Sequence, residues 1–266
     1  MNQTQEIIKS VVAVGNSAGV ILPREWLKGK AKVSLVEEPL NIKKDIFEIL
    51  ESYLEDTIGI YIIGSYARGE QTERSDVDIL VITNETNKRI EDGKYNIILI
   101  SKKNVEDALK NNILPILPMI KEAKPVLNSG LLEDYGKIIL TQRNLRFHIE
   151  TTKSALKVVY EMIKLDREWP SNSSDTIAYS LILRLRESYI VDCIIKGKRW
   201  SNKELKNKIK KITGSLRAYE GYLRVKDNKK EREELSIGEA EKLHKYILRS
   251  IKQHEKWVEK RGLKRK

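Results

Sequence analysis

The chain has 266 residues, 40% of them apolar, and carries 50 Lys and Arg against 38 Asp and Glu, a formal net charge of +12. That length and apolar content support two domains with cores of their own and a small appendage. No run of eighteen apolar residues offers a membrane span, residues 1–6 lack the basic and apolar regions of a secretory signal, and the single cysteine, Cys193, excludes a disulfide framework and a cysteine-based zinc site. A reducing cytoplasm is the expected setting. The abundance of Ile, Lys and Glu leans toward a thermophilic prokaryote.

Residues 1–38 read as a separate unit. The pattern predicts a strand at Val11–Val14, a turn at 15–19, a second strand at 20–22, a one-turn helix at 23–27 opened by Pro23, and a third strand at 32–36. Three short strands cannot bury a core alone, so dimerisation is expected. The strings Val14-Gly15-Asn16-Ser17 and Val20-x-Leu22-Pro23-x-x-Trp26-Leu27 resemble the AbrB/SpoVT swapped-hairpin fold in its archaeal, transposon-associated form. The resemblance implies a homodimer that binds DNA through basic residues, here Arg24, Lys28, Lys30 and Lys32. The competing reading of those cations is the ordinary solvated surface of a dimerisation module.

A linker is expected at 37–40. Over 41–56 the side chains Ile46, Ile49, Leu50, Tyr53 and Leu54 fall on one helical face, predicting a helix under a sheet. Residues 58–63 form an apolar run that leads into Gly64-Ser65-Tyr66-Ala67-Arg68-Gly69-Glu70, and a second apolar run at 79–82 follows Ser75-Asp76-Val77-Asp78. Gly64 permits a tight turn where a Cβ would obstruct a phosphate. Ser65 offers a hydroxyl and an N–H, and residues 66–71 predict a short helix whose N-terminus faces the same anion. Asp76 and Asp78, two apart on an extended segment, project from one face while Val77 and Ile79 face a core. Two carboxylates so placed repel unless a cation joins them, and Mg²⁺ is held in this way by one or two carboxylates plus substrate phosphates.

Gly-Ser, ten residues, then Asp-Val-Asp-Ile resembles the signature of the DNA polymerase β-type nucleotidyltransferase superfamily. The fuller string is similar to its minimal and kanamycin-nucleotidyltransferase branches. The resemblance implies metal-dependent transfer of a nucleoside monophosphate from an NTP to an acceptor hydroxyl, with pyrophosphate released and Mg²⁺ or Mn²⁺ as cofactor. It assigns Asp76 and Asp78 to the metal and catalysis, Gly64 and Ser65 to the NTP phosphates, and Arg68 and Ser75 to the loop around the nucleotide. There is one departure. The next sheet strand, expected at 94–101, should bring a third carboxylate and brings Asn96, whose amide binds metal through oxygen but is no base. Glu91 and Asp92 read as part of a turn within a polar loop at 84–93. Glu150 and Glu187, from the helical region, are the remaining candidates for a base.

Further on, helices are expected near 105–109 and 115–123, an edge strand at 124–128, and a helix at 130–135 capped by Ser129. From residue 142 the pattern is helical. Leu145, Ile149, Thr152, Leu156, Val159 and Ile163 share one face; a break follows at 169–174, then helices at 175–195, 202–212 and 237–259. Residues 201–266 hold 21 Lys and Arg against 10 Asp and Glu, so +11 of the net charge sits there. That asymmetry suggests a polyanionic partner such as nucleic acid, against the reading of a solvated lysine-rich surface. Arg143-x4-His148 and Arg249-x4-His254 match a helical RNase pattern by spacing, yet surface helix charges explain them better. His244 reads as a surface residue, Cys193 as a buried thiol, and Trp169, Trp200 and Trp257 as bundle core.

The fold class is therefore α+β: a hairpin domain at 1–38, a nucleotidyltransferase domain with a mixed sheet at 41–137, and a basic helical bundle at 142–266. The expected function is NTP-dependent nucleotidyl transfer to an unidentified acceptor, with DNA binding by the hairpin domain. The alternative is a DNA-binding regulator or antitoxin-like dimer with a degenerate nucleotide-binding domain.

Overall fold

The structure is a computed structural model describing residues 6–36, 40–73, 75–168, 172–230, 232 and 234–263, the side chains of 261–263 excepted. The expected linker at 37–40 (Leu40 apart), Trp169 and the first residues of the predicted break lie outside that set. The chain divides into two compact units, Met1–Asn41 and Ile42–Lys266.

In the first unit β1 (Val11–Val14) and β2 (Ser17–Val20) form an antiparallel hairpin, with Val14 opposite Ser17. The turn is the dipeptide Gly15-Asn16, shorter than the sequence pattern suggests, so β2 starts three residues early and residues 21–23 are irregular. Gly15 has φ +59, which a two-residue hairpin turn demands. A 3-10 turn at Arg24–Trp26 follows Pro23 as expected. The third strand is not formed: residues 31–36 make no ladder, and Val33, Leu35 and Val36 stand exposed. A two-stranded hairpin offers too little apolar surface to hold a further edge.

The second unit is built on a five-stranded sheet of order β5-β6-β4-β3-β7. Its strands are β3 (Thr57–Ile63), β4 (Val77–Thr83), β5 (Lys88–Asp92), β6 (Tyr95–Ser101) and β7 (Lys124–Leu127). Only β4 and β6 run parallel. β5 occupies the segment expected as a polar loop. Its exposed, charged residues make it unreadable by alternation, yet they suit an edge strand.

Alternation splits the sheet's side chains. Ile60, Val77, Ile79, Val81, Ile97 and Leu99 cover one face and pack with Ile46 and Leu50. These two come from α1 (Ile42–Ile49) and the residue after it, with a 3-10 stretch at Glu51–Asp56 completing the segment expected as one helix. Tyr61, Ile63, Leu80 and Ile82 cover the other face. They join α3 (Lys102–Asn111), α4 (Leu117–Glu122) and α5 (Ser129–Gly136) in a core continuous with the later helices. α5 is capped by Asn128, whose Oδ1 accepts from Leu131 N–H at 3.1 Å, rather than by Ser129.

The later helices are α6 (Gln142–Glu168), α7 (Asp175–Ile195), α8 (Asn202–Thr213), α9 (Arg217–Lys226) and α10 (Ile237–Leu263). The six residues expected on the inner face of α6 are all buried. α9 has no counterpart in the sequence reading. It packs closely on α7, where a Cβ on Gly221 would meet Ala178 Cβ at 3.0 Å. Buried Asp175 accepts a bidentate pair from Arg224 at 2.7 and 2.8 Å and ties the two helices. Cys193 is buried, and Trp200 and Trp257 pack against the core. No helix among the described residues is long and apolar enough to cross a membrane.

Candidate functional site

β3 ends at Ile63, directly opposite Asp78 on β4. Gly64 follows at φ +68 and opens α2 (Gly64–Arg68), which Gly69 closes in the left-handed conformation. A side chain at Gly64 would clash with Asp78 Oδ2 and come within 3.1 Å of its Cβ and Cγ. The expected strand, turn, short helix and strand are thus present, and the glycine turn lies against one of the two acids. Asp76 is exposed just before β4, while Asp78 is half-buried on the face that the later helices cover.

The electrostatics of Asp78 follow from that position. Burial pushes its carboxyl above the ordinary range and the neighbouring Asp76 charge adds to the rise. A hydrogen bond from Asn96 Nδ2 at 3.0 Å, with the Lys226 and Arg68 charges, works the other way. Asn96 is Asp78's direct partner on the parallel strand β6. It stands where the sequence reading placed it, and its buried Oδ1 has no hydrogen-bond partner among the described residues. Among the described residues no three His, Cys, Asp or Glu side chains gather as metal ligands.

Glu122 is a site residue that the sequence reading missed. β3 and β7 pair Ile62 with Lys124; two residues past that pair, the same register sets Glu122 beside Gly64. Its Oε1 accepts from Gly64 N–H at 2.8 Å; its Oε2 accepts from Arg68 Nη1 at 2.6 Å and from Trp200 Nε1 at 2.9 Å. Arg68 also donates to Glu70 Oε2 at 2.9 Å, and Glu70 accepts from Asn202 N–H. So the arginine expected to face the nucleotide is held between two carboxylates, and the segment joining α7 to α8 is anchored on the loop. Ser75 Oγ accepts from Thr72 N–H at 2.9 Å and shapes the turn before Asp76. No motif could have revealed Glu122; only the β3–β7 register does.

The Glu122–Arg68 side chains are 10% and 12% exposed, so breaking this pair strands several donors. Glu122→Ala is expected to cost about 2–4 kcal/mol in chemical denaturation, with Glu122→Gln costing clearly less. A loss under about 1 kcal/mol for the alanine variant would remove Glu122 as an anchor.

The other named residues fall elsewhere. Arg24, Lys28, Lys30 and Lys32 are exposed in the first unit. Glu150 is exposed and paired with Arg146, and Glu187 is paired with Arg184 and His148, so both candidate bases are engaged by cations. Glu91 and Asp92 lie on the exposed edge strand β5, and the turn itself is Gly93-Lys94.

His148 and His254 are not surface residues. They are buried with ring centroids 5.8 Å apart, and His254 Nε2 lies 3.0 Å from Asp192 Oδ1. His244 is half-buried, its Nε2 3.0 Å from the Leu156 carbonyl. Burial holds the His148 imidazole below its usual range; Glu187 opposes that, while His254 and Arg184 add to it. A histidine depressed in the fold takes up its proton first in the unfolded chain. Stability is therefore complete above about pH 6.5 and falls as the pH drops below it, at up to about 1.4 kcal/mol per unit for one group. His148→Gln should flatten that slope in denaturation midpoints between pH 7 and 5; an unchanged slope would refute the assignment.

A family model described as a nucleotidyltransferase domain matches residues 43–139. "Putative protein adenylyltransferase MJ0141" of Methanocaldococcus jannaschii is 37% identical over 106 residues, spanning 39% of this chain and 97% of that protein. Among solved structures, spectinomycin adenyltransferase AAD(9) from Enterococcus faecialis, with ATP and spectinomycin, aligns at TM-score 0.41 and 15% identity over 79% of this chain and 97% of the other. A nucleotidyltransferase-like protein from Exiguobacterium sibiricum aligns at TM-score 0.35 and 14% identity over 79% and 73%. The chain belongs to the nucleotidyltransferase family and is an enzyme of that kind.

Proposed function

We propose that the protein transfers a nucleoside monophosphate from an NTP to an acceptor hydroxyl in a reaction that depends on Mg²⁺ or Mn²⁺, with pyrophosphate leaving. The observation that carries this reading is the convergence of Gly64, Asp76 and Asp78 at the ends of β3 and β4. The site suits a hard divalent cation: Asp78 is raised by burial and by Asp76, and the orphaned Asn96 Oδ1 is a neutral oxygen on the same edge. When bound, the ion would neutralise charge on the triphosphate as the α-phosphoryl group transfers.

The chain's own residues supply the rest. Asp76 and Asp78 hold the cation. Gly64 N–H and Ser65 take phosphate oxygens at the turn. Lys226, at the end of α9, is near enough for its positive charge to favour the ionised Asp78 carboxyl. Arg68 and Ser75 keep the loop in shape through their bonds to Glu122, Glu70 and Thr72. The similarity to a protein adenylyltransferase supports ATP as the nucleotide and a protein side chain as one class of acceptor.

Label transfer from α-labelled ATP, CTP, GTP and UTP into lysate protein and RNA, with and without EDTA, tests this reading. Transfer that withstands EDTA would refute the metal dependence, and no transfer from any NTP would refute the activity. For the first unit we propose a homodimer with DNA contacts through Arg24, Lys28, Lys30 and Lys32. Supporting it, none of the described residues 6–36 is buried in the single chain. Duplex binding should weaken in Arg24→Ala/Lys28→Ala and with rising salt.

A further inference from the structure

A cleft of about 780 Å³ opens along α8 and α10, and neither Asp76 nor Asp78 is among its lining residues. Its walls carry Lys208 and Lys211 from α8 and Lys242, Lys245 and Arg249 from α10. Among its described lining residues the one acid, Glu204, accepts a hydrogen bond from Tyr189 at 2.8 Å. Among the described residues, Lys211, Lys242, Lys245 and Arg249 have no carboxylate within ion-pair distance. Lys208 is held in place: its ammonium lies 5.4 Å from the ring centroids of both Tyr189 and Tyr246 and donates to Tyr246 Oη at 3.1 Å.

Cations gathered in one concavity repel one another and are relieved only by an anion. The shape narrows the choice. The lining residues of α8 run from Glu204 to Ile212, about 12 Å along the axis at the helical rise. That length suits a run of successive phosphates better than one small anion. A cleft of this volume between two packed helices admits a few nucleotides of a single strand and is too small for a duplex. The lip of the cleft is also tied to the nucleotide loop. Ser201 N–H donates to Tyr189 Oη at 3.2 Å, and the next residue, Asn202, donates to Glu70.

We infer that the α8–α10 cleft binds a single-stranded nucleic acid through its phosphodiester backbone and holds that strand as an acceptor beside the nucleotide site. The acceptor role rests on the transfer activity proposed above; the binding does not.

Fluorescence anisotropy with a labelled single-stranded RNA 12-mer, the matching DNA strand and the DNA duplex tests it on the full-length protein. Both single strands should bind, and whichever is tighter identifies the source of the phosphodiester. Each phosphate neutralised contributes about 0.7 to the slope of log affinity against log salt. The variant Lys211→Ala/Lys245→Ala/Arg249→Ala, made on exposed positions, should lower that slope by about 2 and weaken binding at least tenfold. Binding unchanged in this variant, no binding of either strand at low salt, a preference for duplex, or loss of strand binding only in Arg24→Ala/Lys28→Ala would each overturn the proposal. Asp76→Ala/Asp78→Ala separates the two readings: it should lose label transfer and keep strand binding. Strand binding without label transfer by the unmodified protein would count against the activity alone, whereas transfer with the triple variant binding normally would count against the cleft alone.

Discussion

Asp78→Asn is expected to lower nucleotidyl transfer roughly 10³-fold, the scale on which loss of a charge stabiliser at the reacting phosphate is felt. The same substitution should leave the fold as stable as before or more so. The reason is the environment of the carboxylate. Asp78 is half-buried beside Asp76, and its carboxyl is held above the usual range. A carboxyl raised in the fold resists ionisation there more than in the unfolded chain. Its contribution to stability is therefore present at low pH and is lost as pH rises from the unfolded value of about 3.9 through the raised one. At neutral pH the ionised group opposes folding, and an amide removes that opposition. Asn96 keeps an oxygen to donate to, provided the new amide turns its oxygen toward Asn96 Nδ2. Label transfer and thermal denaturation on one preparation decide the matter. Transfer within tenfold of the unmodified protein, or a melting temperature lowered by more than about 4 °C, would contradict this account.

Gly64→Ala should be nearly as damaging for a different reason. At φ +68 an alanine carries about 1–2 kcal/mol of backbone strain, and its Cβ would displace the Asp78 carboxylate. The displaced group carries the strain into the site, because Gly64 N–H and Asp78 are both proposed to meet the substrate. Transfer should fall at least about 10²-fold, with an added loss of about 2 kcal/mol in denaturant midpoints. Ser65→Ala, which keeps the backbone turn, should cost far less. Equal losses in the two variants would show that the hydroxyl, not the glycine geometry, governs the turn.

How much of this was legible beforehand depends on whether the interaction is local. The order of β3, α2 and β4 was readable because two apolar runs and the glycine turn between them lie within 27 residues, and Asp76 and Asp78 are a period-two signal at the start of an extended segment. The place of Asn96 was readable because the apolar run around it marks a strand, which pairs with β4 although the edge strand β5 intervenes in the chain. β5 was read as a loop because an exposed edge strand has no apolar face. α9 was not recognised because its identity rests on Gly221 and Arg224 meeting α7. His148 and His254 were read as surface groups because sequence spacing cannot tell which side of a helix faces a neighbour.

By itself the sequence determined that this chain carries a glycine turn between two apolar strands, two acids two residues apart and an amide where the family resemblance leads one to expect a third acid. It also placed the excess positive charge in the last quarter of the chain. Tertiary structure decided what surrounds them. The β3–β7 register brought Glu122 onto Gly64 and Arg68, and the helices buried Asp78 and brought the Lys226 charge within electrostatic reach of it. They also gathered scattered lysines of α8 and α10 into one cleft. The physical reason is the same throughout. Backbone periodicity encodes which residues share a face, but charge pairing, burial and convergence on a site join residues tens of positions apart and exist only after the elements pack.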